Sequence, residues 1–203
     1  MPMRRYTSLE TVHDRVWERI ERAADDSQAP FRILTFGSVG EEHPHLRSVV
    51  VRSADRDERR LSFHSDRRSE KVADIQAHDR IAWHGWDPET SEQIRLHGTA
   101  TVHTDDAVAD EMWTREDPSG LALYPKSSAP GTPLEEPDDG LHPSVREQPI
   151  TREHVAAGRE HFAVIRTVID TVDWLHLHAD GHYRAQFRFD AEREPFEGRW
   201  VVP

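Results

Sequence analysis

The sequence contains no cysteine and very little lysine. The absence of cysteine excludes disulfides and thiolate chemistry at a metal or redox centre. Of the 26 lysines and arginines, only Lys71 and Lys126 are lysines, and each has a serine close by, at Ser69 and Ser127. A compact ammonium beside hydroxyls and the amides of a helix start is a good receptor for phosphate. From the count alone, it is equally possible that the two lysines have no special role and were retained by chance.

Long apolar runs are also missing from the chain. None approaches the length of a membrane span, and the N-terminus lacks the apolar centre of a signal peptide. The 203 residues carry a formal net charge of −12, so nucleic acid and anionic membrane surfaces are poor partners. We therefore expect a cytoplasmic protein with one domain over residues 1–203, which binds neither nucleic acid nor membranes.

Apolar spacing predicts one long helix followed by many short strands. Leu9, Val12, Val16 and Ile20 recur at three- and four-residue intervals, which indicates an amphipathic helix over residues 8–25. Alternating or β-branched segments predict strands, and three further segments predict short helices. The predicted strands are 31–36, 46–52, 60–64, 80–86, 92–103, 162–169, 171–178, 182–189 and 199–202, and the short helices are 69–77, 105–113 and 151–159.

The connections between these segments add detail. Residues 37–44 are predicted to form a turn, and the β-branched run Val49-Val50-Val51 predicts a strand buried on both faces. The stretch at about 118–150 is rich in proline, glycine, serine and acids, which predicts a long loop insert. Together the segments predict a mainly β (α+β) fold, an antiparallel barrel with peripheral helices.

The order of four short motifs resembles the pyridoxamine 5′-phosphate oxidase-like family of FMN-binding split barrels. That family has an arginine-led apolar strand, a Phe-aromatic-Thr/Ser turn, a Ser-x-Lys helix start, and glutamine or arginine before a Gly-x-Ala strand. Each motif alone is weak, and their shared order carries the resemblance. The matching runs here are Arg47-Ser48-Val49-Val50-Val51-Arg52, Leu61-Ser62-Phe63-His64-Ser65-Asp66, Arg68-Ser69-Glu70-Lys71 and Glu92-Gln93-Ile94-Arg95-Leu96-His97-Gly98-Thr99-Ala100.

The resemblance implies FMN as cofactor, a homodimer with FMN at the subunit interface, and a split barrel over the single domain. Arg47 and Lys71 would neutralise the FMN phosphate, Ser65 and Ser69 would hydrogen-bond it, and Gln93 would meet the flavin pyrimidine edge. Lys126, Ser127 and the C-terminal tail would act on the partner's cofactor. The remaining cofactor-binding residues that the resemblance implies are Val49, Val50, Arg52, His64, Trp174, Arg184 and Gln186.

The resemblance also implies a flavin-dependent oxidoreductase with a small-molecule substrate, bound by Arg52, Arg115, His182 and Arg184. No catalytic residue is predicted, because FMN itself carries the hydride chemistry. Gln186 stands where an arginine would meet the flavin, so Arg184 and Gln186 are both left open for that contact. This departure from the family pattern and the long insert leave the substrate unassigned. They argue against pyridoxamine 5′-phosphate oxidase activity itself.

Two other classes of function stay open. The 14 histidines include His176-Leu177-His178, with His182 and His161 on either side, and a second pair in His43-Pro44-His45. A metal- or haem-binding barrel would use such histidines together with a carboxylate such as Asp173 or Asp180. We weigh this below flavin binding and assign no metal site. A non-catalytic flavin carrier or sensor is the other alternative, and the sequence does not separate it from an enzyme.

Overall fold

The computed structural model describes residues 6–146, 149–189 and 197–203. Within them, nine antiparallel strands form one curled sheet, surrounded by one long and three short α-helices. The strands are β1 (Ile33–Val39), β2 (Pro44–Val50), β3 (Ser53–Asp55), β4 (Arg60–Asp66), β5 (Arg80–Asp87), β6 (Glu92–His103), β7 (Phe162–His176), β8 (Tyr183–Arg188) and β9 (Glu197–Trp200). The helices are α1 (Leu9–Asp25), α2 (Glu70–Ala77), α3 (Ala107–Arg115) and α4 (Arg152–Val155), with 3-10 turns at Pro118–Leu121, Pro143–Val145 and Ala156–His161.

The long strand β7 organises the sheet. It pairs with β6 along its length, with β4 through its first half and with β8 through its second half. Two strands, 162–169 and 171–178, were expected here, and the structure has one because Asp170 is accommodated as a bulge. His97 pairs with Thr171 and Gly98 with Ile169, so Asp170 has no partner across the ladder and the strand bends there. This bend lets one strand serve both halves of a split barrel.

The barrel interior is filled with aromatic side chains and closed by α1. Trp17 of α1, Trp83 of β5 and Trp174 of β7 are fully buried. The helix begins at the predicted place, because the Ser8 hydroxyl accepts a hydrogen bond from the Thr11 amide. The predicted mainly β architecture with peripheral helices is thereby confirmed. No helix in the described ranges is both long and apolar enough to span a membrane.

Two predictions about the first hairpin were wrong. Strand β1 continues through Gly37 to Val39, where a turn was expected, because β2 pairs with it back to Pro44. The run Val49-Val50 is only half-buried, and β2 alternates between exposed and half-buried residues. The reason is topological, since β2 is an edge strand and pairs with β1 alone within the described sheet. Helix α3 also differs from the predicted range 105–113, since it runs from Ala107 to Arg115 with Asp106 as its N-cap.

The predicted loop insert has no α-helix or strand before α4 within its described residues. It is nevertheless packed, through Leu121, Tyr124 and Val145, against Phe162 and Val164 on β7. This second hydrophobic cluster lies outside the barrel and fixes the first part of the insert beside β4 and β7.

Gly98 offers a test of the bulge. A Cβ atom at this position would lie 2.0 Å from the carbonyl oxygen of Val168 on the neighbouring strand, so the backbone would have to move. We expect Gly98→Ala to lower the free energy of unfolding by about 2 kcal/mol or more, measured by chemical denaturation. Thr99→Ala on the same strand should cost about 1 kcal/mol or less, and equal losses in the two variants would contradict the account of the bulge.

Candidate cofactor site

A cavity of about 610 Å³ lies between β2, β4, the start of α2 and the first part of the insert. Strand β2 can supply one wall because its second edge carries no strand, and β4 supplies another where it runs into α2. The structure brings together in this cavity nine of the predicted site residues, namely Arg47, Val49, Val50, Arg52, His64, Ser65, Ser69, Lys71 and Lys126.

One end of the cavity is a cluster of hydroxyls around Lys71. The Lys71 ammonium donates to the Ser65 hydroxyl at 3.3 Å, and that hydroxyl lies 3.1 Å from the hydroxyl of Ser69. Ser69 is the N-cap of α2, but its hydroxyl donates to the Asp66 carbonyl and does not cap the helix. The first amides of a helix have no partner within the helix. The cluster therefore combines an ammonium, hydroxyls and a helix start, which is a typical arrangement for an anion site.

Arg47 forms the opposite side of this cluster, and its guanidinium is fixed by hydrogen bonds to β1 and β2. Its guanidinium donates to the Ser38 hydroxyl at 2.6 Å and to the His45 carbonyl at 3.0 Å. The Ser38 hydroxyl in turn donates to Asp74, whose carboxylate lies 3.7 Å from the guanidinium. Glu70 is 3.8 Å away but is mostly exposed, so water screens its charge.

The cations of this cluster lie close to one another in a partly buried place. Burial, and then the charge of Arg47, lower the pKa of Lys71 below its ordinary value; Asp66 and Glu70 act in the opposite direction, and Lys126 adds a further lowering. Burial likewise lowers the pKa of Arg47. An anion placed between these groups would remove the repulsion, so the cavity favours a ligand with a negative charge at this end.

The other end of the cavity carries no net positive charge. The Arg52 guanidinium is 3.2 Å from Glu116, which also lies 3.3 Å from His64. Neither ring nitrogen of His64 has a hydrogen-bond partner within the described residues. Burial, and then the charge of Arg52, lower the pKa of His64 to about 3, so its imidazole is neutral at neutral pH. Burial also raises the pKa of Tyr124, so its phenol stays protonated.

Five predicted residues lie away from the cavity of their own chain. Ser127 is in the insert just beyond it. Gln93, Arg184 and Gln186 lie on the outer face of β6 and β8, where Arg184 and Gln186 each donate to Asp173 at 2.8 Å. Trp174 points inward and is fully buried in the barrel core. A contact of the tail with a partner subunit's cofactor stays a prediction.

The predicted substrate residues are not assembled into one site within a single chain. Arg52 lines the cavity, whereas Arg115 lies on α3 and pairs with Glu111. His182 accepts a hydrogen bond from the amide of His178, and Arg184 holds Asp173. Each of these groups therefore already has a partner that a substrate would have to displace.

Sequence reasoning missed three contributors to the cavity. Tyr124 was not selected because a lone tyrosine in a proline-rich loop carries no signal of burial. The partnership of Glu116 with Arg52 joins residues 64 positions apart, and no local spacing predicts it. Arg68 was visible beside the Ser-x-Lys motif, but its contacts with the insert were not foreseeable.

Of the histidines in the metal alternative, His45 belongs to a group able to hold a metal ion among the described residues, together with Glu70 and Asp74. In that part of the chain, no such group is found at His176, His178 and His182. In the group of His45, Arg47 already lies within 3.8 Å of both carboxylates. A fixed cation in this position disfavours a metal ion.

Comparisons with known proteins agree with this geometry. The curled antiparallel sheet with peripheral helices is a split barrel. Residues 14–104, a little under half of the chain, match the family model described as pyridoxamine 5′-phosphate oxidase, FMN-binding domain. The family resemblance that the sequence motifs indicated is thus confirmed. The match covers the motifs from Arg47 to Gln93 and ends before Lys126 and the tail.

Two solved structures share the fold over nearly the whole chain. A pyridoxamine 5′-phosphate oxidase-related, FMN-binding protein from Nostoc punctiforme is 20% identical, with a TM-score of 0.69 and 98% of both chains covered. PhzG from Burkholderia lata, in complex with tetrahydrophenazine-1-carboxylic acid, is 16% identical, with a TM-score of 0.66 and 94% of this chain and 92% of that chain covered. No curated protein is significantly similar in sequence.

The neutral state of His64 predicts a specific acid sensitivity. The unfolded chain takes up a proton at this residue near pH 6.5, whereas the native protein does so only near pH 3. Stability from this group is therefore fully present above pH 6.5 and is lost as the pH falls toward 3, by about 2 kcal/mol between pH 7 and pH 5. Denaturant titrations at pH 7 and pH 5 measure the free energy of unfolding of wild type and of His64→Phe. The decrease between the two pH values should be smaller in the variant by about 2 kcal/mol.

A matched control is His97→Phe, which removes an exposed histidine of β6. We expect its loss of stability between pH 7 and pH 5 to equal that of wild type. An unchanged loss in His64→Phe would mean that the imidazole is not held neutral by burial.

Proposed function

We propose that this protein binds FMN in the cavity between β2, β4 and α2 and acts as an FMN-dependent oxidoreductase on a small molecule. The observation that carries the proposal is the meeting of Arg47, Lys71 and Lys126 in one cavity with the hydroxyls of Ser65 and Ser69. Asp66 and Glu70 line the same cavity, but Asp66 is paired with Arg68 and Glu70 is mostly exposed. The three cations therefore favour a bound anion.

The shape and chemistry of the cavity fit FMN. The cationic end suits the phosphate. The other end, where Val49, Val50 and Leu123 lie near the Arg52–Glu116 ion pair, suits the apolar faces of a flavin ring. Peptide groups of β2 on the open sheet edge are available for the polar edge of the ring. When bound, FMN would supply the hydride chemistry, while this chain would bind and orient it and limit access of water.

FMN is favoured over FAD as the cofactor. The cations gather at one point, which suits a terminal monophosphate, and no Gly-x-Gly-x-x-Gly follows a strand to cradle a dinucleotide. The matched domain is itself described as FMN-binding. FAD would need a second place for its adenylate moiety beyond the loop that roofs the cavity.

A homodimer is supported by the apolar side chains that one chain leaves exposed. Leu46 on β2 is 71% exposed and Ile33 on β1 is 60% exposed, on the edge hairpin that also walls the cavity. Trp86 on β5, the strand next to β1, and Trp200 on β9 are also exposed. A second subunit would cover such side chains and would bring Arg184 or Gln186 to the first subunit's flavin. The cytoplasmic location stays a prediction from the sequence.

The substrate is expected to be a small molecule that carries no phosphate group. A phosphorylated substrate needs a cationic clamp of its own, yet Arg52 is paired with Glu116 and Arg115 with Glu111. The acid beside Arg52 would repel a second phosphate. A flavin carrier or sensor is the second candidate, because the carboxylate at this end of the cavity, Glu116, is already paired with Arg52. Neither the neutral His64 nor the protonated Tyr124 is a strong base.

The first test of this proposal is the cofactor itself. Purified protein should show flavin absorbance, and the extracted cofactor should be FMN. Lys71→Ala should weaken FMN binding by roughly 1.5–3 kcal/mol, because a charge-assisted hydrogen bond is lost. The effect should exceed that of Lys126→Ala, because Lys71 lies at the start of α2 among several donors. Fluorescence titration measures both.

Riboflavin, which lacks the phosphate, is the internal control for this test. Its affinity should change little in either lysine variant. FAD in the extract, no flavin after flavin-supplemented expression, or equal FMN affinity in Lys71→Ala and wild type would contradict the assignment.

The proposal also predicts poor oxidation of pyridoxamine 5′-phosphate. Because Glu116 neutralises Arg52, hydrogen peroxide formation should be slow and unsaturated at micromolar substrate. Glu116→Gln frees the guanidinium and should lower the KM for this substrate by about tenfold, the size of one charge-assisted contact. Turnover of about one per second or faster by wild type at micromolar substrate would prove this prediction wrong.

A further inference from the structure

We propose that Arg68, gripped by Asp66, is a latch that fixes the insert over the flavin cavity and positions Lys126 inside it. The inference rests on the proposed binding of FMN for its functional consequence. The latch itself is a property of the protein without ligand.

The latch is a single guanidinium with two sets of acceptors. On one side its Nε and one terminal nitrogen donate to the Asp66 carboxylate at 3.0 and 2.7 Å. On the other side it donates to the backbone carbonyls of Ser127 at 2.9 Å and Lys126 at 3.1 Å, with that of Ser128 at 3.5 Å. The planar fork of arginine suits such a double grip, whereas a lysine could not span both sets.

The anchor of the latch is rigid. Asp66 is the last residue of β4 and its carboxylate is 6% exposed. It also accepts from the backbone amide of Arg68 at 2.9 Å, so the side chain is fixed on both sides. Burial alone would raise the pKa of Asp66, but the hydrogen bonds from Arg68 hold it below its ordinary value. The pair therefore stays ionised at neutral pH. Through it the insert is connected to β4 of the barrel.

The residues beside the anchored carbonyls form the roof of the cavity. Gly120, Leu123, Tyr124, Pro130 and Gly131 all line it from this side. With its carbonyl held by Arg68, Lys126 lines the cavity of its own chain and also the neighbouring pocket within the insert. Its charge is felt there, since it contributes to the lowered pKa of Lys71. The family resemblance had implied a role at the partner's cofactor instead.

The functional consequence is preorganisation of Lys126. Ordering a free loop on ligand binding costs conformational entropy, and a latch that orders it beforehand removes this cost from binding. Arg68 is thus a positioning residue that acts through Lys126. Loss of the latch should therefore weaken FMN binding through Lys126, the same residue whose ammonium Lys126→Ala removes.

The first arm of the test needs no flavin. The chain contains only two lysines, Lys71 and Lys126, so a lysine-specific endoprotease reports on each separately. Arg68→Ala should accelerate cleavage after Lys126 at least tenfold while cleavage after Lys71 stays at the wild-type rate. The matched control is Arg67→Ala, because among the described residues Arg67 pairs with Asp105 and makes no hydrogen bond or ion pair with residues 126–128. Unchanged cleavage after Lys126 in Arg68→Ala would overturn the latch.

A second variant covers the case in which Arg68→Ala does not fold, which rapid cleavage after Lys71 as well would reveal. Asp66→Asn keeps the side-chain shape and weakens the grip on Arg68. It should accelerate cleavage after Lys126 alone, and cleavage at the wild-type rate in this folded variant would likewise overturn the proposal.

The second arm measures FMN and riboflavin affinity in Arg68→Ala, Lys126→Ala and the double variant. The double variant should bind FMN no more weakly than the weaker single variant, because both remove one contribution, and riboflavin should be affected less. Additive losses would mean that Arg68 does not act through Lys126. Failure of wild type to bind FMN would contradict the proposed function but leave the protease result, and so the latch, standing.

Discussion

The proposed cofactor site depends on two partly buried cations, Arg47 and Lys71, that line one cavity. Arg47 and Lys71 come from β2 and α2, elements that the sheet brings side by side, and burial lowers the pKa of both. Such an arrangement costs folding free energy in the absence of a ligand. It is understandable as a binding site, where the ligand supplies the missing charge. A chain that is acidic overall and concentrates cations at one place binds small anions there without attracting nucleic acid.

The barrel makes this arrangement possible through its one long strand. Bending of β7 at the Asp170 bulge lets β4 and β8 share a partner, which curls the sheet and leaves β2 at an edge. The open edge provides both the wall of the cavity and the exposed apolar residues that a second subunit would cover. The insert then closes the remaining side, tied down by Arg68 and by its own hydrophobic cluster. Fold, cavity and proposed dimer thus follow from the same strand order.

Much of this could be predicted from local sequence, for physical reasons that also explain the failures. The helix cap at Ser8 and the motif around Lys71 depend on neighbours within a few residues, so their patterns are visible in the chain. The burial of Val49 and Val50 depends on whether β2 has two neighbours or one, which periodicity does not encode. The pairing of Arg52 with Glu116 depends on how the insert packs, and no spacing rule reaches that far. Predicted contacts with a partner subunit could not be tested within one chain.

The most direct measurement is a crystal structure of the protein grown with FMN. The account predicts that the phosphate lies between the guanidinium of Arg47 and the ammonium of Lys71, within hydrogen-bond distance of Ser65 or Ser69, and that the flavin ring lies along β2 toward Arg52. A phosphate bound elsewhere, or a flavin seated on the outer face of β6 and β8 with the cationic cluster left unused, would contradict it.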